Sequence, residues 1–220
     1  MDPGGRPHAV LVGVGPGLGA SLARVLVDAG YDLTLMARRA ASTDPVVEEV
    51  AARGGRARAE LVDISDLEAL EAGVRRADDW RPITHLHHNA SMHAGSLLTA
   101  DAATLRTSLA VNAMAAVVAV QAGLPGLTGT GGRVTWTGGG VALRPHPDYG
   151  VLAMGKAALR AAALALAPEL AERGIDLRMM TVTGVIRSGG PFDPDRIAQA
   201  FWAFAQEPTT DVERIFGGQP

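Results

Sequence analysis

Gly13-Val-Gly15-Pro-Gly17-Leu18-Gly19 lies between an apolar run over 8–14 and an amphipathic stretch over 18–29. The run reads as a strand and the amphipathic stretch as a helix. Glycines at such a turn let the chain reverse tightly and bring backbone amides close to a pyrophosphate. The same amides stand at the positive end of the following helix. A strand, a glycine turn and a helix in that order predict the opening of a nucleotide-binding α/β fold.

The rest of the chain repeats the pattern. Strands are predicted at 32–37, 56–62, 83–88, 132–137, 175–182 and 213–216, alternating with helices at 44–53, 66–79, 102–123, 148–173 and 194–206. Gly30, Gly54-Gly55, Pro125-Gly126 and Gly174 are read as the stops. The expected architecture is one domain over 1–220, a Rossmann-type doubly wound parallel sheet of about seven strands with helices on both faces. Residues 111–122 and 157–170 are Ala-, Val- and Leu-rich around nearly the whole helix. One side then faces the sheet, and the other suggests a homodimer or homotetramer interface.

Composition narrows the partners. Of 220 residues 47% are hydrophobic and 20% charged, as in a soluble globular protein. The formal net charge of −3 provides no basic face for nucleic acid or an anionic membrane. With no cysteine, disulfides and thiolate chemistry are excluded. A cytoplasmic location is expected, with no leader and no membrane span. His85 and His87 fall on one face of their strand and His88 on the other. With His93 they do not converge, and no metal is expected.

The end of the second strand reads Ala37-Arg38-Arg39, where an acidic residue would suit the ribose 2′-hydroxyl of NAD. Two guanidinium groups there suit a 2′-phosphate, so NADP(H) is the expected cofactor.

In sum the chain resembles the short-chain dehydrogenase/reductase family. The resemblance is carried by the Gly13–Gly19 turn, Leu61-Val-Asp63-Ile, His88-Asn89-Ala90-Ser91, Asn112, Lys156 and Thr183-Gly184-Val-Ile186-Arg-Ser188. It implies that Gly13, Gly15, Gly17, Leu18 and Gly19 cradle the cofactor with Arg38, Arg39 and Asn89. It further implies that Asp63 meets the adenine, and that Gly184, Ile186 and Ser188 hold the carboxamide. Lys156 would bind the nicotinamide ribose, and Asn112 would kink its helix and hold a proton-relay water.

Two positions depart from the family. Its catalytic tyrosine, four residues before the lysine, is here Leu152, and its substrate-steadying serine is Gly139. Leucine can neither donate nor accept a proton. Tyr149 is the candidate replacement, two turns from Lys156 and about 10 Å away. Thr137 is a lesser hydroxyl candidate. His93, Gly139, His146, Leu152 and Phe192 are expected to line the substrate pocket, with Trp136 adding apolar wall. The resulting expectation is an NADP(H)-dependent oxidoreductase with a non-standard proton donor, acting on a small carbonyl, imine, iminium or activated alkene. The alternatives are a non-redox isomerase, dehydratase or cyclase, or a non-catalytic dinucleotide-binding subunit.

Overall fold

The computed structural model describes residues 5–218. Seven strands form one sheet in the order β3-β2-β1-β4-β5-β6-β7, every pairing parallel. The strands are β1 His8–Val12, β2 Asp32–Ala37, β3 Ala57–Leu61, β4 His85–His88, β5 Arg133–Gly139, β6 Asp176–Val182 and β7 Glu213–Phe216. The order turns back on itself between β1 and β4, and a parallel sheet opens a crevice beyond the strand ends at such a reversal.

Alternate strand residues divide the core into two layers. Val10, Val12, Leu86, Val134 and Trp136 pack against α3 (Leu67–Trp80), α5 (Ala115–Thr130) and α6 (Gly150–Ala171). Ala9, Leu11, Leu33 and Leu35 pack against α1 (Leu18–Asp28), α2 (Ala40–Ala52) and α7 (Pro194–Gln206). Burial on both faces explains why β1 is continuously apolar after His8 rather than alternating.

Two helix bounds differ from the sequence reading by more than two residues. Helix α2 begins at Ala40 rather than 44, because Arg39 is extended and the helix follows the strand directly, with Pro45 inside it. The long helix does not stop at Pro125-Gly126. It continues to Thr130 because the Asp78 carboxylate accepts the Gly126 N–H at 3.0 Å, and it ends at left-handed Gly131. Between α4 (Ala102–Leu109) and α5 the backbone opens into a π-helical segment, Ala110–Met114, centred on Asn112.

Two helical stretches, Ala102–Thr130 and Pro147–Ala171, are long and apolar enough to cross a membrane by length and composition. Half of each is buried inside the fold, as core helices are. On the outer side of these helices Val117 and Val118 of α5 are half-buried, and Leu164 of α6 is exposed.

Candidate active site

A cavity of about 1040 Å³ runs across the C-terminal ends of β1, β2, β4, β5 and β6. Its first end is the glycine turn. Gly13 has φ +89°, and a Cβ there would lie 2.6 Å from the backbone nitrogen of Ala90, so only glycine lets β1 and β4 approach this closely. The same residue's carbonyl accepts the Asn89 Nδ2 at 3.2 Å. Added side chains at Gly15 and Gly17 would meet nothing within 4 Å, and no side chain caps α1 at Gly17. The N-terminal amides of α1 therefore face open space in the cavity wall, which suits an anionic group.

Arg38, Arg39 and Ser42 line the same end, with Leu18, Gly19 and Asp63 beside them. Neither arginine forms an ion pair among the described residues. Asp63 accepts from the Ser65 amide at 3.0 Å and the Ser65 hydroxyl at 2.7 Å. These bonds hold its carboxyl below the usual carboxylate range, with the Arg38 charge a smaller cause.

The other end is built from the turn after β4, the π segment and α6. Asn112 is fully buried, and its amide is spent on the protein. Its Oδ1 accepts the Met92 N–H at 3.0 Å, and its Nδ2 donates to the Met92 carbonyl at 3.0 Å and to Ser108 Oγ at 2.9 Å. The residue thus clamps the turn that carries Asn89 to His93. Helix α6 crosses here at Gly155, where a Cβ would lie 2.6 Å from that of Asn112. The close crossing seats Lys156 beneath the turn.

Lys156 is the only lysine in the chain, against nineteen arginines. It is 4% exposed, lines the cavity, and donates to the carbonyls of Thr137 at 3.0 Å and Ala90 at 3.3 Å. No carboxylate pairs with it among the described residues. Burial lowers its pKa to about 8. An ammonium so placed is a proton source matched to neutral pH, a property that the always-charged arginine lacks.

Leu152 and Gly139 both line the cavity beside Lys156. A Cβ on Gly139 would lie 3.4 Å from Lys156 Cγ, ordinary contact, so no crowding keeps that position glycine. Tyr149 also lines the wall, but it is 47% exposed, sits in the short turn Pro147–Tyr149 before α6, and packs its ring 6.0 Å from that of His146. His93, Gly184 and Ile186 line the cavity as well.

Four expected residues lie elsewhere. His146 is turned to solvent as the N-cap of Pro147–Tyr149, its Nδ1 accepting the Asp148 N–H at 3.2 Å. Ser188 sits on an exposed turn shaped by Gly189 at φ +74°, whose N–H is held by Asp193 at 2.7 Å. Phe192 is tucked behind the Gly184 loop, 6.1 Å from Phe216, in a niche that a side chain at Gly184 would fill. Trp136 points into the α5–α6 core layer and is fully buried.

Sequence reading missed a buried polar ladder behind the cavity. His85 Nε2 and His87 Nδ1 each lie 2.7 Å from Thr135 Oγ1, and His87 Nε2 lies 3.1 Å from Thr137 Oγ1. Thr137 in turn donates to Asn89 Oδ1 at 3.1 Å. One set of tautomers satisfies the chain, with each hydroxyl donating toward Asn89, so Thr137 is committed to holding that residue. Burial lowers the pKa of His85 to about 3 and that of His87 well below its ordinary value. His88, on the opposite face, is likewise lowered to about 3 by burial and by the Lys156 charge. Among the described residues no group of His, Asp or Glu could hold a metal. The signal available in sequence was the alternation of His85 and His87 with Thr135 and Thr137 on strands that pair in register.

Fold and cavity define an α/β protein of the dinucleotide-binding class, with a glycine turn, a cationic end for a phosphate and a buried lysine. The chain belongs to the short chain dehydrogenase family, whose model matches residues 7–189. Over 97 residues it is 42% identical to a probable oxidoreductase of Streptomyces antibioticus, covering 43% of this chain and 31% of that protein. Over 106 residues it is 32% identical to a galactitol 2-dehydrogenase (L-tagatose-forming) of Cereibacter sphaeroides, covering 47% and 41%. The matched stretch thus spans well under half the length of these curated relatives. A short chain dehydrogenase from Burkholderia cenocepacia, solved in complex with NADP, superposes with a TM-score of 0.87 at 28% identity, covering 97% of each chain. A dehydrogenase/reductase from Sinorhizobium meliloti gives 0.87 at 26% identity, covering 97% of this chain and 94% of that one.

Proposed function

We propose that the protein is an NADP(H)-dependent oxidoreductase that reduces the carbonyl, imine, iminium or activated alkene of a small organic substrate, with Lys156 as the proton donor. The observation that carries the reading is the buried, carboxylate-free ammonium of Lys156 in the same cavity as the glycine turn and the Arg38–Arg39 pair. Arg38, Arg39 and Ser42 suit a 2′-phosphate, and the Gly13–Gly19 turn a pyrophosphate. NADPH, when bound, supplies a hydride to the electrophilic carbon.

The residues of the chain supply the remainder. Lys156 Nζ keeps one N–H free of its two carbonyl acceptors and gives that proton to the alkoxide, nitrogen anion or enolate that hydride addition leaves, whereas an iminium, already cationic, needs none. It is left as a neutral amine, which regains its proton from water. Apolar Leu152 keeps the ammonium desolvated, and desolvation is the cause of its lowered pKa. Asn112 and Thr137 act as positioning residues, one through Met92 and the other through Asn89. Tyr149, half-exposed and far along the wall, is assigned to substrate contact. The apolar outer faces of α5 and α6 support a homodimer or homotetramer, to be read by sedimentation.

The test uses the single lysine. With ε-15N-lysine labelling, the side chain gives one resonance, expected to titrate near pH 8 and to move when NADP⁺ is added. Arg38→Ala is expected to weaken NADP⁺ binding about 10- to 100-fold, the loss of a charge-assisted contact, and to leave NAD⁺ binding unchanged. A lysine titrating near its ordinary 10.5 with NADP⁺ bound, or equal losses for both dinucleotides, would overturn the assignment.

A further inference from the structure

The cavity has two chemically distinct ends. All of its charged side chains except Lys156, namely Arg38, Arg39 and Asp63, stand at the ends of β2 and β3. Beyond Asn89 the wall is Met92, Val111, Val141, Leu152, Val185 and Ile186. Of the polar side chains at that end, Ser91, His93, Thr107 and Tyr149 are exposed at the rim, while Thr137 and Thr183 are set into the wall with their hydroxyls already donating to Asn89 Oδ1 and the Phe216 carbonyl.

We propose that this end takes an uncharged, largely apolar carbonyl compound whose body runs outward along Tyr149 and Val185. The proposal rests on the oxidoreductase reading and adds its substrate class. The argument is one of desolvation. A polyol laid against this wall would bury hydroxyls opposite methyl groups, and each hydroxyl whose hydrogen bonds go unmade weakens binding. A carboxylate or phosphate on the substrate would find no second cation among the described residues that line this end, since Lys156 is committed to the reacting atom and to two backbone carbonyls.

The rim shows how far the substrate reaches. Val185 is 77% exposed and Tyr149 nearly half, although both belong to the cavity wall, so the apolar lining continues into solvent. Leu97 extends it, packing over Gly150 beside Tyr149. Residues 187–193 form turns, and their one large apolar side chain, Phe192, is folded behind Gly184 rather than over the opening. An open apolar rim favours a bulky ring system over a compact one.

The test is isothermal titration of the NADP⁺-saturated full chain with trans-1-decalone, cyclohexanone, 4-oxocyclohexanecarboxylate and galactitol. Decalone is expected to bind at least tenfold tighter than cyclohexanone, and the carboxylate and galactitol weaker still. Val185→Ser is expected to weaken decalone about five- to tenfold, the loss of two methyl contacts, with NADP⁺ and cyclohexanone affinities unchanged. Galactitol or the carboxylate binding as tightly as decalone overturns the proposal, as does a Val185→Ser variant that binds decalone normally. A Val185→Ser variant that changes the sedimenting mass overturns it too, by showing that a second copy covers the rim. Decalone that binds without oxidising NADPH defeats the oxidoreductase reading alone, whereas NADPH oxidation by galactitol in preference to the ketones defeats this one alone.

Discussion

Replacing Lys156 by methionine should make the protein more stable at pH 7 and less stable at pH 10. Burial moves the ammonium's pKa from 10.5 to about 8, and each pH unit is worth 1.36 kcal/mol, so holding the charge costs the native state roughly 3 kcal/mol at neutral pH. Methionine removes that cost with a side chain of similar length. It also takes a donor from the Thr137 and Ala90 carbonyls, worth about 1 kcal/mol each. The net gain at pH 7 is about 1 kcal/mol, or a few degrees in Tm for a chain of this size.

The pH dependence is the sharper signal. Between pH 8 and 10.5 the unfolded chain holds a proton on Lys156 that the native state has released, so native stability rises with pH there. By pH 10 roughly 2.5 kcal/mol of the cost is gone from the parent protein, and the lost hydrogen bonds, about 2 kcal/mol together, outweigh the remainder of under about 1 kcal/mol. The order should then invert, with Lys156→Met less stable by about 1–2 kcal/mol. Urea unfolding of both proteins at pH 7 and pH 10 measures this directly, because other titrations cancel in the difference. A variant less stable by the same amount at both pH values would show that Lys156 is not a desolvated cation.

Further outcomes follow from the same geometry. The double variant Gly139→Ser/Leu152→Tyr places a hydroxyl and a phenol beside Lys156, with room for the serine Cβ at 3.4 Å. General acid catalysis by a positioned phenol should raise NADPH-dependent ketone reduction at least tenfold, followed at 340 nm, and an unchanged rate in a folded, NADPH-binding variant would count against the placement of these positions. His8, held by Thr34 and the Arg81 carbonyl with its pKa lowered to about 4, joins His85, His87 and His88 in staying neutral in the native state. Below pH 6.5 the unfolded chain binds protons these four do not, so stability should fall from pH 6.5 toward pH 4, by up to about 2 kcal/mol per histidine at pH 5. A urea midpoint that is flat from pH 7 to pH 5, or ring resonances titrating near 6.5, would refute their burial.

The local features of the chain were legible because their causes are local. Strand and helix periods, the glycine turn and Arg38-Arg39 each depend on neighbours a few residues away, and β2, α7 and β7 fall on the residues expected. Leu152 and Gly139 stand at fixed spacings before Lys156, which the sequence shows directly. What required the folded chain was direction. Phe192 turns from the cavity because Phe216 and the space above Gly184 receive it, contacts that no spacing encodes. Helix α5 survives Pro125 because Asp78, 48 residues earlier in sequence than Gly126, accepts an amide there. The sequence by itself therefore determined the class of fold and the cofactor end of the cleft, where backbone and charge act at short range. The tertiary structure decided that Lys156 is buried with no carboxylate beside it among the described residues and that the far wall is largely apolar, because desolvation is a sum over everything packed around a group.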